Sequence, residues 1–370
     1  MSFPRVGVVG AGQLARMMAV AANDLGIDFK VLAAIPNDSA AQVTHYILGD
    51  YSDINSVLDF AKNCDVLTFE HELVPQSVIK AVEAAGIKVY PRSDSFTFSQ
   101  DKLEMRKKIS ELNLPNPKWQ KYQGQDREIS FPLIAKLPSG GYDGRGVFQI
   151  DSEAQLLELY KKAGTLLLEE KLNFDYEISV MVARSPHGQA ATWAPTQTVQ
   201  SEGICTMTIA PAPDLSESLG QQAQLMALSI AAEIKLVGVM AVEMFVKGDQ
   251  LFINELAMRP HNSGHWTIDG SVTSQFEQHL RAILDLPLGD TSMTTKYAVM
   301  GNVLGGDKQD MYRPYLHLLA RTPKLKIHQY RKEVKPGRKI GHVTLLGENL
   351  VELTTEVQHA IDYMGGVIDE

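Results

Sequence analysis

The chain has 370 residues, 44% of them hydrophobic and 21% charged, the balance of an ordinary globular protein long enough for two or three domains. A net charge of −9 argues against a surface that runs along a nucleic-acid backbone, since such surfaces carry basic stripes, but it leaves room for a local basic pocket. Cys64 and Cys205 sit in no CxxC or zinc spacing and read as reduced thiols of a cytoplasmic protein, and no apolar run reaches membrane-spanning length.

Arg5-Val6-Gly7-Val8-Val9 is rich in β-branched residues and reads as a buried strand. Gly10, Gly12, Gln13 and Arg16 break the apolar run after Arg5, and no small-residue cleavage site follows, so a signal peptide is not assigned. Gly10-Ala11-Gly12-Gln13-Leu14-Ala15 matches G-x-G-x-x-[GA] and leads into a helix over about 14–25. Such a turn aims backbone N–H groups at a phosphate. A nicotinamide site would add an acid at the end of the next strand, and Val31-Leu32-Ala33-Ala34 has none. A phosphate-binding turn is therefore favoured, with a plain tight turn as the alternative. Strands at 28–32, 47–50, 65–69 and 88–90 alternate with helical stretches at 54–62 and 77–85. That alternation predicts a parallel sheet with helices on both faces, a first domain placed at 1–98.

A charged helix at 101–108 opens a second domain, placed at 99–290. The break Leu114-Pro115-Asn116-Pro117 precedes a strand at 133–136, a glycine-rich loop, a strand at 147–150, a helix at 153–162 and a strand at 166–170. Strands alternate from 176 to 200, a long helix covers 219–234, and a hairpin turning at Lys247-Gly248-Asp249 closes the region. Beyond Pro287, short strands such as 297–303 and 341–346 read as a small β-rich domain at 291–370.

Several groupings carry chemistry. Ser139 to Gly146 holds four glycines in eight residues, a backbone able to lie along phosphates. A plain mobile hairpin has no need of Tyr142, Asp143 and Arg145 there. Lys136, just before the loop, is placed to reach a phosphate as a point charge. Glu169-Glu170-Lys171-Leu172 is a strand end with backbone groups for an adenine edge, and Glu177 follows in reach of ribose hydroxyls; alone, it would read as a solvated strand end. Glu243 stands among apolar neighbours in Met240-Ala241-Val242-Glu243-Met244-Phe245-Val246, a costly place for a carboxylate unless it is paired or metal-bound. The hairpin puts Glu255 beside it, and such a pair suits magnesium, which fills its octahedron with substrate phosphates. The bland alternative is a surface hairpin with exposed acids. Arg259-Pro260-His261-Asn262-Ser263-Gly264-His265-Trp266-Thr267 follows with more polar groups than a core would use. Lys335-Pro336-Gly337-Arg338-Lys339-Ile340-Gly341-His342 is a compact basic run in an acidic chain, fit for a phosphate monoester or else a solvated face.

In order along the chain, Lys102, Lys136, the glycine loop, Glu169 with Glu177, Glu243 and Asn254-Glu255 resemble the ATP-grasp ligases. With the Gly10–Leu14 turn, the Gly140–Gly146 loop, Arg259–Thr267 and Lys335–His342, the chain resembles the 5-(carboxyamino)imidazole ribonucleotide synthases of de novo purine biosynthesis over nearly its whole length. That family often has glycine where Ala15 stands, and alanine also satisfies the turn. The resemblance implies an α/β (α+β overall) ATP-grasp architecture. It implies that MgATP phosphorylates bicarbonate to carboxyphosphate, and that the amine of 5-aminoimidazole ribonucleotide takes up the carboxyl group, directly or as released carbon dioxide. ADP and phosphate leave.

The roles it implies are these. Lys102 and Lys136 hold phosphates, and Gly141, Tyr142, Asp143, Gly144, Arg145, Gly146 and Val147 fold over the triphosphate. Glu169, Glu170, Lys171 and Leu172 frame adenine, Glu177 takes the ribose, and Gln200 approaches the nucleotide. Glu243 and Glu255 bind magnesium, with Asn254 beside the phosphates. Arg259, His261 and Asn262 are catalytic. Gly12, Gln13, Tyr142, Asp143, Arg145, His261, Lys335, Arg338 and Lys339 bind the ribonucleotide. A cytoplasmic homodimer with no nucleic-acid or membrane partner completes the expectation. The alternatives are another ATP-grasp ligase such as a formate-dependent glycinamide ribonucleotide transformylase, an NAD-dependent oxidoreductase, and a non-catalytic nucleotide-binding protein. The 259–267 motif and the compact length favour the synthase.

Overall fold

The computed structural model describes residues 3–126, 128–140, 146–201 and 203–368. The chain opens with β1 (Arg5–Val9), α1 (Gln13–Asp24), β2 (Asp28–Ala33), β3 (His45–Leu48), α2 (Ile54–Ala61), β4 (Val66–Phe69), α3 (Gln76–Ala84) and β5 (Lys88–Val89). The five strands form one parallel sheet in the order β3-β2-β1-β4-β5. β1 and β4 are buried along almost their whole length, as central strands covered on both faces must be. Leu14, Met18 and Ala22 of α1 turn one face into this core, and Val57 and Phe60 of α2 enter from the other side. Asp53 caps α2 by accepting from the Ser56 amide.

Next come α4 (Ser93–Gln100), α5 (Lys102–Glu111), β6 (Trp119–Tyr122), β7 (Leu133–Lys136), β8 (Val147–Ile150), α6 (Glu153–Ala163) and β9 (Leu166–Glu170). β6, β9, β7 and β8 make a small antiparallel sheet whose apolar face, with Leu133, Ala135 and Leu168, packs on Leu156 of α6.

A third sheet holds β10 (Tyr176–Arg184), β11 (Ala190–Thr192), β12 (Thr196–Ser201), β13 (Ile204–Ala210), β14 (Gly238–Lys247) and β15 (Gln250–Ala257), with α7 (Glu217–Glu233) between β13 and β14. α8 (Thr267–Gly270) and α9 (Gln275–Ile283) follow. β16 (Tyr297–Leu304), α10 (Arg313–Arg321), β17 (Lys326–Gln329), β18 (Lys339–Gly347) and α11 (Leu350–Gly365) complete the chain. β16, β18 and β17 continue the same sheet, because β16 pairs antiparallel with β13, and the order becomes β15-β14-β10-β12-β13-β16-β18-β17, with β11 beside β10. α7 packs on one face through Ala223, Ala227 and Ile230, and α11 continues that cover through Leu353, Val357 and Ala360. The opposite face, around Met181, Ala241 and Met300, is closed by Trp266. The sequence reading of the last region names strands and turns; the structure adds α10 and α11 as their cover.

Among the joints that hold the N-terminal sheet to the rest, two involve α9. α1 packs against α9, with Phe276, Leu280 and Ile283 sharing its core. His279, fully buried, receives the Val239 amide at Nδ1 (3.1 Å) and meets Thr68 Oγ1 of β4 at Nε2 (2.8 Å). No helix among the described residues is long and apolar enough to cross a membrane.

Candidate active site

β14 and β15 are antiparallel, and Glu243 faces Glu255 directly. The register then slips, so that Met244 faces Ile253 and Asn254 is the extra residue of a bulge. A bulge re-aims side chains, and here two consecutive ones reach lysines: Asn254 Oδ1 accepts from Lys136 Nζ at 3.1 Å and Glu255 Oε1 from Lys102 Nζ at 2.5 Å. Burial pushes the Glu243 carboxyl up to about 8, and the neighbouring charges of Glu255 and Glu177 add to the shift. An acid pair in which one member is held protonated is a set of hard oxygen donors short of a cation, and it fits magnesium. Among the described residues no group of three or more His, Cys, Asp or Glu is placed to hold a metal ion.

Lys136 is buried, with Nζ 2.8 Å from Glu169 Oε2, and burial lowers its pKa. Glu169 is buried as well. Burial would raise its carboxyl, but the Arg106 and Lys136 charges prevail and hold it at about 2. Its other oxygen accepts from Arg106 Nε at 2.6 Å. Both carboxylate oxygens are thus taken up by cations, and Glu169 itself is paired within the sheet, opposite Trp119 of β6 and Ile134 of β7. Glu170 Oε1 accepts from the Lys118 amide (2.9 Å), and Lys171 Nζ donates to Gln149 Oε1 (2.9 Å). Gln200 on β12 meets the carboxylate of Glu177 on β10, whose pKa burial raises. Gly141, Tyr142, Asp143, Gly144 and Arg145 lie outside the described residues. The loop is anchored where Lys136 pairs with Val147 and the Leu137 amide donates to the Gly146 carbonyl (2.8 Å). Gly140 and Gly146, at φ 80° and 79°, take a backbone conformation that favours glycine.

Arg259 follows β15. Its Nε is 2.7 Å from Glu72 Oε2, at the C-terminal end of β4. His261 Nε2 lies 3.4 Å from Glu243 Oε1, and its Nδ1 meets Ser263 Oγ at 2.9 Å. Burial, then the charges of Arg259, Lys339 and His265, keeps His261 neutral. The loop is pinned from below: Ser263 Oγ bonds Ser179 Oγ (2.7 Å), Trp266 Nε1 donates to Thr196 Oγ1 (3.0 Å), and Gln275 bonds both backbone groups of His261 (2.7 and 2.8 Å). Asn262 Nδ2 is buried, and its side chain lies against the Cys205 thiol.

A second compartment, about 820 Å³, lies at the carboxyl ends of the parallel strands. Gly10 to Gln13, Tyr51, Glu70 and His71 form one wall, and Arg331, Lys332, Lys335 and Arg338 the other, together with Glu333, which pairs with Lys335 Nζ at 2.8 Å and lies 3.9 Å from Arg338 Nη1. Lys332 Nζ bonds Gln13 Oε1, and Ser39 Oγ donates to the Tyr330 carbonyl (2.6 Å), which ties the two walls together. The glycine turn lines this space, but the Ala15 amide at the start of α1 already donates to Glu70 Oε2 (3.0 Å). A Cβ at Gly12 would overlap that carboxylate. Anion-binding charge therefore comes from the basic wall. Lys339 does not line the cavity; its charge acts on His261, His265 and Cys205, on the side of the carboxylate pair. The sequence reading missed Glu70, Glu72, Arg106, Arg331 and Lys332. A signal existed for the first two, since acids directly after a parallel strand sit where such sheets bind ligands.

Three family models match the chain: the ribonucleotide synthetase preATP-grasp domain at 3–100, the ATP-grasp domain at 107–276, and the phosphoribosylaminoimidazole carboxylase C-terminal domain at 298–356. The N5-carboxyaminoimidazole ribonucleotide synthase of Mycobacterium tuberculosis (strain ATCC 25618 / H37Rv) is 42% identical over 98% of this chain and 88% of its own. The chain belongs to the N5-carboxyaminoimidazole ribonucleotide synthase family. Solved structures of this family agree. The synthetase from Thermus thermophilus superposes with a TM-score of 0.87 at 33% identity, covering 99% of each chain. The synthase from Aspergillus clavatus, in complex with ADP and 5-aminoimidazole ribonucleotide, gives 0.89 at 31% identity over 99% of this chain and 100% of that one. N5-carboxyaminoimidazole ribonucleotide synthases are ATP-grasp ligases, and membership sets aside the oxidoreductase and pure-binding alternatives.

Proposed function

We propose that the protein carboxylates 5-aminoimidazole ribonucleotide with bicarbonate, driven by conversion of ATP to ADP and phosphate. The observation that carries this reading is the placement of two compartments on either side of Glu70-His71-Glu72. Glu70 and His71 line the basic-walled cavity, and Glu72 grips Arg259 at the edge of the carboxylate cleft.

ATP lies in the cleft between the small sheet and β14–β15, with Lys102 and Lys136 on its phosphates, the Glu169–Leu172 segment along adenine, and Glu177 with Gln200 at the ribose; family resemblance assigns residues 141–147 to the triphosphate. Glu243 and Glu255 are the residues that would hold magnesium, which would supply charge neutralisation for the phosphates. Arg259, neutral His261 and the Asn262 amide hold bicarbonate, whose oxygen attacks the γ-phosphorus as the bond to the ADP oxygen breaks. Fixed positive charge at this point is the main catalytic device for such a step. The ribonucleotide occupies the second compartment, its phosphate on Lys332, Lys335 and Arg338. Its amine nitrogen bonds to the carboxyl carbon while phosphate leaves with the electron pair of the broken C–O bond and takes the amine proton.

The same reading divides the chain at 1–98, 99–290 and 291–370 and includes a cytoplasmic homodimer; resemblance to the family supports both. Carbon-13 bicarbonate tests the function. The label should enter a carbamate on the ribonucleotide only when MgATP is present, and labelling without ATP would refute the reading.

A further inference from the structure

Arg106, in the middle of α5, is completely buried. A buried guanidinium must have its donors matched, and its partners come from three elements. Nε donates to Glu169 Oε1 of β9 at 2.6 Å, Nη1 to the Ile253 carbonyl at 2.6 Å and to Asn116 Oδ1 at 3.3 Å, and Nη2 to the Asn254 carbonyl at 2.9 Å. Ile253 and Asn254 are the residues at which the β14–β15 register slips. The Ile253 amide points away to the Pro115 carbonyl (2.9 Å). The bulge thus turns backbone groups out of the ladder, and one planar guanidinium collects two of its carbonyls.

The contacts close into a ring. Arg106 holds Glu169, Glu169 holds Lys136, Lys136 holds the Asn254 side chain, and Arg106 holds the Asn254 carbonyl. Glu255 is the next residue. We infer that Arg106 is a positioning residue: it sets the β15 bulge, and through it the placement of Glu255 for the metal and of Lys136 for the phosphates. A lysine keeps the charge but cannot reach Glu169 and two carbonyls at once. This rests on the reading of Glu243 and Glu255 as the magnesium pair.

The test is calorimetric binding of ADP at a series of magnesium concentrations to wild type, R106K and R106Q, with melting temperature and KM for 5-aminoimidazole ribonucleotide measured alongside. In R106K the magnesium needed for half-maximal ADP binding should rise about tenfold or more, the range for losing a partner that orients a metal ligand, while KM for the ribonucleotide stays within about twofold. A magnesium requirement unchanged in both variants overturns the inference. So does parallel loss of both affinities, or failure of both variants to fold, which would make the arginine a requirement of the fold alone. If wild type shows no magnesium-dependent ADP binding, the metal reading fails instead.

Discussion

Glu243 and Glu255 stand directly opposite each other on β14 and β15, and the Glu243 carboxyl is pushed up to about 8, first by burial and then by the charges of Glu255 and Glu177. The folded value lies above the unfolded one, so in the free protein this group favours folding below the usual carboxylate range and loses that contribution as pH rises through about 8. On the proposed role of this pair, a bound magnesium ion would displace the proton. Its affinity should therefore rise with pH up to about 8, with up to one proton released per ion near neutrality. Calorimetry of magnesium and ADP binding in buffers of different ionisation enthalpy measures that release, and Glu243→Gln should abolish it.

Glu72 orients Arg259 through a 2.7 Å charged hydrogen bond. Glu72→Gln keeps the shape and removes the charge. A charge-assisted bond is worth about 1.5–3 kcal/mol, so kcat should fall about tenfold or more while KM for ATP changes little. Steady-state kinetics checks this, and a change confined to KM for ATP would place Arg259 on the nucleotide instead.

The basic residues from Lys332 to Lys339 divide between two sites: Lys332, Lys335 and Arg338 line the cavity and Lys339 does not. Lys332→Ala removes a cation that lines the cavity and should raise KM for the ribonucleotide about tenfold with KM for ATP unchanged. Lys339→Ala, outside the cavity and beside His261 and His265, should lower kcat and leave KM for the ribonucleotide near its normal value.

His279 joins the N-terminal sheet to the central domain, and burial alone drives its pKa down to about 3. The folded value lies below the unfolded one, so its contribution to stability is full above pH 6.5 and is lost as pH falls toward 3. Thr68→Val leaves the ring's Nε2 without its partner and should cost about 1–3 kcal/mol. Melting temperature against pH, for wild type and variant, reads both effects.

Much of the cleft was legible in the sequence. Glu243 and Glu255 declared themselves because a tight turn between two apolar strands fixes cross-strand register, and Lys136 because its strand leads into a glycine-rich loop. Arg106 did not. Lys102-Leu103-Glu104-Met105-Arg106-Lys107-Lys108 has the composition of a solvated helix, and only the fold shows that Lys102 and Arg106 lie on its buried face. Arg259 and Glu72 are 187 residues apart, a pairing that no local pattern encodes. The helix α11 was within reach, since Leu353, Val357, Ala360 and Met364 recur at helical spacing. The Gly10–Ala15 turn shows the limit of a motif: its backbone shape was foreseen, but the carboxylate of Glu70 that occupies its amide comes from another strand.

The central claim is that ATP turnover serves carboxylation of the ribonucleotide. ADP release from purified protein with MgATP and bicarbonate, measured with and without 5-aminoimidazole ribonucleotide, tests it most directly. The account predicts that the ribonucleotide strongly stimulates ADP release and that Glu255→Gln abolishes it in a folded protein. ADP release indifferent to the ribonucleotide, or undiminished in Glu255→Gln, would contradict it.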